Sequence, residues 1–208
     1  MMQDVKPRLD RDARREAILD VASDVFLEEG YANATMSTIA TRVGGSKGTL
    51  YNYFKNKEEL FAAYVVRHCA WQRDAMFEIE SEVDDIREAL IKTGRTYLSI
   101  VLSDFSMANF RVIVAEAERT PEIGLAFYEA GPRSGARRLG AALQKAVDAG
   151  QLRIDDPVHA AHQFIGLCQN RMLKGRLCGA MAAPTPEEID REVLPAVKVF
   201  LAAYGVDR

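Results

Sequence analysis

Long apolar runs are missing from this chain, and so are the usual signatures of an enzyme. No apolar stretch approaches the ~18 residues that suggest a bilayer span. The opening residues, MMQDVKPRLDRDARRE, are charged, so neither a membrane segment nor a secretion signal is expected. Cysteine is scarce and odd in number: Cys69, Cys168 and Cys178 lack zinc or redox spacing and read as reduced thiols of a cytoplasmic protein. No Ser/His/Asp or Cys/His arrangement, phosphate loop or pair of catalytic acids stands out, so no catalytic residue and no cofactor is expected. His159 and His162 have a helical spacing that can hold a metal, but no third ligand follows with clear spacing, and no metal is expected. Net charge is −3 over 208 residues. That excludes a generally basic nucleic-acid coat and leaves charge to be read locally.

What is present is helical periodicity. No convincing alternating strand occurs, and the expected fold class is all-α. In the first segment Ile18, Leu19, Ala22, Val25 and Phe26 share one helix face, and Gly30 is a natural stop. Thr35 can cap a short helix over Met36 to Val43, and Ser46 a third through Tyr53 or Phe54. A long fourth helix, capped near Asn56, runs toward residue 82. Further helices are placed near 85–102, 107–119, 121–130, 132–149, 156–178 and 185–204. Pro121, Pro132, Pro157 and Pro186 sit where a first turn tolerates a missing N–H. Pro195 should kink or restart the last helix. The expected division is a three-helix unit over residues 1–56 and a larger helical body over 57–208.

The stretch VGGSKGTLYNYFKNKEEL, residues 43–60, is a poor core helix behind a double glycine. Two short helices joined by a glycine turn form a helix-turn-helix, whose second helix lies in the DNA major groove. Ser46, Lys47, Thr49, Asn52 and Tyr53 offer hydrogen-bonding side chains, and Gly48 lets the backbone approach a phosphate. Leu50 and Phe54 anchor the helix inward. From Gly30 to Lys57 there is no acidic residue, while Arg42, Lys47, Lys55 and Lys57 are basic. Such a window in an acidic protein suits a confined phosphate footprint.

These motifs carry a resemblance. Residues 18–61, with an apolar first helix ending in GY, T-M-x-x-I-A, S-K-G-T-L-Y-N-Y-F and K-x-E-L-F, are similar to the DNA-binding domain of the TetR family of transcriptional regulators. The later stretch FRVIVAEAERTPEIGLAFYEAGP is similar to C-terminal domains of its AefR-like branch. The resemblance implies a homodimeric repressor of efflux, stress or metabolic genes, bound to double-stranded operator DNA and released by a small effector. It puts base-reading positions on Lys47, Thr49 and Asn52, and phosphate-contacting positions on Thr35, Ser37, Tyr51, Tyr53 and Lys57, with Thr38 and Arg42 as additions. One departure is Gly45, where the family usually has valine or a similar apolar residue. The lost burial costs about 1–2 kcal/mol, so either the turn is looser or a neighbour fills the gap.

The body is rich in aromatics and methionines, and the resemblance implies a ligand cavity there. The candidates are Trp71, Tyr97, Phe105, Phe110, Arg111, Phe127, His162 and Cys168. Apolar stripes on the last two long helices, including Phe164, Met172, Val193, Val197, Phe200 and Leu201, make the expected dimer interface as a four-helix bundle. Two other readings stay open: a small helical enzyme using His68, His162 or a cysteine, and a DNA-binding thiol sensor switched through one of the three cysteines.

Overall fold

The structure, a computed structural model, describes residues 11–77 and 85–206, excluding the side chains of 75–77. The expected run of the fourth helix beyond residue 77 lies outside the described residues. Ten α-helices follow in order: α1 Arg11–Asn33, α2 Met36–Val43, α3 Lys47–Tyr51, α4 Lys57–Phe77, α5 Ile86–Val101, α6 Asp104–Ala117, α7 Pro121–Tyr128, α8 Ser134–Asp148, α9 Pro157–Leu177 and α10 Pro186–Tyr204. The described residues contain no β-strand, only an isolated bridge between Leu152 and Gly205.

Local chemistry accounts for most boundaries. Thr35 and Ser46 accept backbone N–H bonds from Thr38 and Thr49, capping α2 and α3 as expected. Pro121, Pro157 and Pro186 stand in the first turns of α7, α9 and α10. Gly30 breaks α1 with φ 75°, and one further turn carries the chain to Asn33. The ammonium of Lys57 closes that turn, donating to the carbonyls of Tyr31 at 2.7 Å and Ala32 at 3.4 Å.

Three expectations needed correction. The third helix ends at Tyr51, two to three residues early. Pro132 starts no helix. It sits inside a π-helical turn, Glu129–Arg133, whose wider coil joins α7 to α8 and accommodates the missing N–H. Pro195 does not restart α10, which runs through it without a non-helical residue. Pro195 and Arg191, whose carbonyl loses its partner, are both on the exposed side, where water replaces the bond. The break lies instead in α9, at Asn170 (φ 32°, ψ −118°). Asn170 Nδ2 and Arg171 Nε donate to the buried Glu192 carboxylate at 3.2 and 3.0 Å, which holds the kink against α10.

The apolar residues gather into two cores. The first joins α1–α4 and takes Ile113 from α6 and Ile123 from α7. Its centre is an aromatic cluster of Phe26, Tyr31, Phe61 and Tyr64, with Phe26 and Phe61 edge to face at 4.9 Å. The second joins α5, α6 and α8–α10 around Leu98, Met107, Leu139, Phe164, Val193 and Phe200. Gly94 sets how closely α5 approaches α10: a Cβ there would meet Val193 Cγ1 at 2.8 Å and Cys168 Sγ at 3.4 Å. Gly94→Val is therefore expected to lower stability by about 1–3 kcal/mol, measured as a fall in the urea midpoint with an unchanged slope.

Helix α4 belongs to both halves. Its N-terminal part supplies Leu60, Phe61, Tyr64 and Val65 to the first core. Tyr64 also donates to Asn109 Oδ1 at 2.6 Å, and Gln72 Nε2 donates to Ser106 Oγ at 2.6 Å, which tie α4 to α6.

Candidate functional site

The turn between α2 and α3 is built by hydrogen bonds. Gly44 takes φ 70°, a left-handed conformation that glycine reaches without strain. The N–H of Gly44 bonds to Thr41 O and that of Gly45 to Ala40 O, both at 3.1 Å. This is a Schellman termination, in which the residue after the left-handed one commonly packs an apolar side chain back onto the helix. Gly45 has none to offer. Instead the Arg14 guanidinium from α1 lies 3.0 Å from where a Cβ would be and donates to Val43 O at 3.5 Å. The gap at Gly45 is filled by a neighbour.

Leu50 and Phe54 are buried in the first core, while Ser46, Lys47, Gly48, Tyr51 and Asn52 are exposed and Thr49 and Tyr53 half-buried. The exposed groups share one outward surface of the short helix. The polar ends of this set are not equally available. Among the described residues the side chains of Lys47 and Asn52 make no hydrogen bond or ion pair. Thr49 Oγ1 pairs with Ser46 Oγ, and Thr35 Oγ1 with Thr38 Oγ1, each at 3.0 Å. Ser37 is half-buried, and its carbonyl accepts from Thr41 Oγ1. Arg42 is tied to Glu28 at 2.6 Å and Glu29 at 3.2 Å. A window free of acids along the chain is thus not free of them in space. Lys57 is engaged with α1 and lies 4.3 Å from the centroid of the Tyr31 ring.

The body holds a cavity of about 390 Å³ among α4–α9 and the π-helical turn. Of the expected ligand-contacting residues, Tyr97, Phe110, Phe127 and His162 line it. Four do not. Trp71 is 63% exposed and Phe105 44%, because both lie on outward faces of their helices. Arg111 spends its guanidinium on the carbonyls of Leu177 and Arg176 at the end of α9. Cys168 is buried in the second core, beside Gly94. Among the residues missed are the polar ones of α4, His68, Gln72 and Arg73, and Thr93, Ser106 and Gln169 from neighbouring helices. A histidine amid the apolar residues of a long helix was the available signal, read only as a catalytic base.

Burial pushes the Cys69 thiol up to about 11 and that of Cys168 up to about 12. Both are thiols rather than thiolates near neutrality, which disfavours them as redox sensors. Cys178 is exposed. His159 Nε2 is paired with Gln163 Nε2 at 3.2 Å. Among the described residues no group of three or more His, Cys, Asp or Glu is close enough to hold a metal ion. No single described helix is long and apolar enough to cross a membrane.

The expected interface residues divide sharply. Phe164, Met172, Val193, Val197 and Phe200 are all 2% exposed or less, because they pack α9 and α10 into the chain's own core. They leave a partner nothing to touch, and only Leu201 stays half-exposed. The outward face of α10 presents Leu194 and Val199 instead, 45% and 53% exposed.

With this geometry in view, the similarities to known proteins fall into place. A model of bacterial regulatory proteins of the tetR family matches residues 18–64. A model of the AefR-like transcriptional repressor C-terminal domain matches residues 88–206. A solved structure from Mesorhizobium loti MAFF303099, described as a TetR-family transcriptional regulator, superposes with a TM-score of 0.88 at 27% identity, covering 95% of this chain and all of that one. The flavonoid-responsive regulator FrrA does so at 0.79 and 32%, covering 94% and 98%. The transcriptional activator FasR of Mycolicibacterium smegmatis is 41% identical over 86 residues, 41% of this chain and 35% of that one, so the chain spans about a third of that relative's length. Two family models that match residues of both cores, over a helical fold, lead to one assignment: the chain belongs to the TetR family of transcriptional regulators, DNA-binding proteins rather than enzymes.

Proposed function

We propose that this regulator is a homodimeric repressor, released from a near-palindromic operator by a small effector. Residues 1–56 form the DNA-binding unit and 57–208 the body that binds the effector and the second subunit. The observation that carries the DNA-binding part is the outward surface of α3, where Lys47 and Asn52 are exposed with their polar ends unspent. Lysine can donate to guanine O6 or N7, and asparagine can bridge adenine N6 and N7. Thr49 completes the reading set. Thr35, Ser37, Thr38, Tyr51, Tyr53, Lys57 and the backbone at Ser46 and Gly48 hold the sugar-phosphate chain without reading it. Arg42 joins them when phosphate displaces Glu28 and Glu29.

Two such heads reach one side of a duplex when half-site centres lie about 34–36 Å apart or a multiple of that. The outward face of α10, with Leu194, Val199 and Leu201, together with the adjoining face of α9, supplies the self-complementary surface. An effector in the cavity touches α4 at His68, Cys69 and Arg73, and Cys69 is also one of the residues that α4 gives to the DNA-binding core, so cavity and core share that stretch of helix. A shift of α4 therefore moves the head. Coupling of about 1–3 kcal/mol changes operator occupancy many-fold. The name of FrrA as flavonoid-responsive supports a small organic effector for this chain.

The test is to map the DNA protected near the chain's own gene, then titrate that site and random DNA across salt concentrations. Tyr53→Phe and Lys57→Ala should weaken both DNAs by a similar factor, and Lys57→Ala should flatten the salt dependence by about one counterion. Failure to protect any near-palindromic site, or binding insensitive to salt, would sink the reading.

A further inference from the structure

The geometry points to an uncharged, largely apolar effector that carries one hydroxyl hydrogen-bonded to His68 Nε2. This inference rests on the effector reading above and specifies its chemistry. The cavity, at about 390 Å³, suits a small organic molecule. Its walls are mainly aromatic and aliphatic, and no Asp or Glu lies among the described residues that line it. A cation would find no carboxylate there.

Most polar groups on the wall are already committed to the protein. Gln72 donates to Ser106 Oγ, and Arg73 to Ser134 Oγ at 3.0 Å with Asp74 beside it. Asn109 accepts from Tyr64 and donates to Phe105 O, and Gln169 bonds Tyr97. Thr93 and His162 make no side-chain bond among the described residues, but they are half-buried and exposed, so water can serve them, whereas His68 Nε2 is buried and has no partner. An orphaned buried nitrogen is costly, and a ligand that satisfies it recovers that cost.

The ring is held for this role. Tyr64 stacks on it at 6.1 Å, Trp71 at 6.3 Å, and Phe105 meets it edge-on at 5.0 Å. Burial, with a smaller contribution from the Arg67 charge, pulls its pKa down to about 4, so the imidazole is neutral under physiological conditions. A neutral imidazole presents either a lone pair or an N–H at Nε2. A hydroxyl can donate to the first and accept from the second, so it suits both tautomers. A carboxylate would instead confront that lone pair, or depend on Arg73, whose guanidinium is shared with Ser134 and Asp74, or on His162, which is exposed and so open to water.

Isothermal titration of the full chain with 1-naphthol, naphthalene and 1-naphthoate at pH 7.5 tests this. Naphthol should bind about tenfold more tightly than naphthalene, the loss expected when a buried polar group is left unpaired, with naphthoate weakest. His68→Phe should bring naphthol and naphthalene to within about twofold of each other, while naphthalene keeps its affinity. His68→Gln, which retains a hydrogen-bonding end, should keep part of the preference and decides the matter if the phenylalanine variant does not fold. Naphthoate binding best, equal binding of naphthol and naphthalene to the native chain, a preference that survives His68→Phe, or no binding of any probe would overturn the proposal. Release of the operator is measured separately with saturating naphthol. Binding without release refutes the regulatory reading and leaves the ligand chemistry standing.

Discussion

Phe61→Ala should lower the stability of the DNA-binding half by about 3–5 kcal/mol, the range found when a fully buried aromatic is cut back to a methyl. The side chain is 0% exposed and touches Phe26, Tyr31 and Tyr64 at ring-centroid distances of 4.9, 4.8 and 5.9 Å. Those partners come from α1, from the turn after Gly30 and from α4, so the cavity would open where three segments meet. A loss that large is a big fraction of what a domain has to spare. Specific DNA binding should fail on warming well before the body unfolds, and urea unfolding should split into two phases. Phe61→Leu, which keeps most of the volume, should lose less than half as much. Alanine within about 1 kcal/mol of the native chain would mean that the aromatic cluster does not organise the head.

Lys47→Ala and Asn52→Ala should each weaken operator binding by about ten- to a hundredfold, equivalent to about 1–3 kcal/mol per lost base contact. Binding to random DNA should change far less for Asn52, which carries no charge, and only by the value of one cation for Lys47. Both side chains are exposed and engage no described residue, so neither substitution should alter folding. Melting curves that superpose on the native one make the binding data interpretable. If these two variants lose affinity for operator and random DNA in the same proportion as Tyr53→Phe and Lys57→Ala, the division into readers and anchors is wrong.

How much of this could be read from the chain follows the range of the interactions. Thr35, Ser46 and Gly30 act on neighbours a few residues away, so helix starts and the break in α1 were legible. Local rules failed where distant residues intervene. The pairing of Arg42 with Glu28 and Glu29 crosses more than a dozen positions, and Arg14 reaches the α2–α3 turn from another helix. The kink at Asn170 is held by Glu192 of α10, and no periodicity announces it. An apolar stripe states that a face is covered and not by what, so Val193, Val197 and Phe200 read as partner-facing although their own chain covers them. The cavity was half legible for the same reason. Aromatic content pointed to Tyr97, Phe110 and Phe127, but which rings face inward depends on helix rotation, and that turned Trp71 and Phe105 away.

The placement of Trp71 has a use of its own. It is the sole indole of the chain, and it lies against His68 on the helix shared by head and cavity. Its emission is therefore a built-in optical gauge: a guest settling on the imidazole reaches the fluorophore through the ring stacked beside it, so occupancy can be followed in real time without attaching a dye.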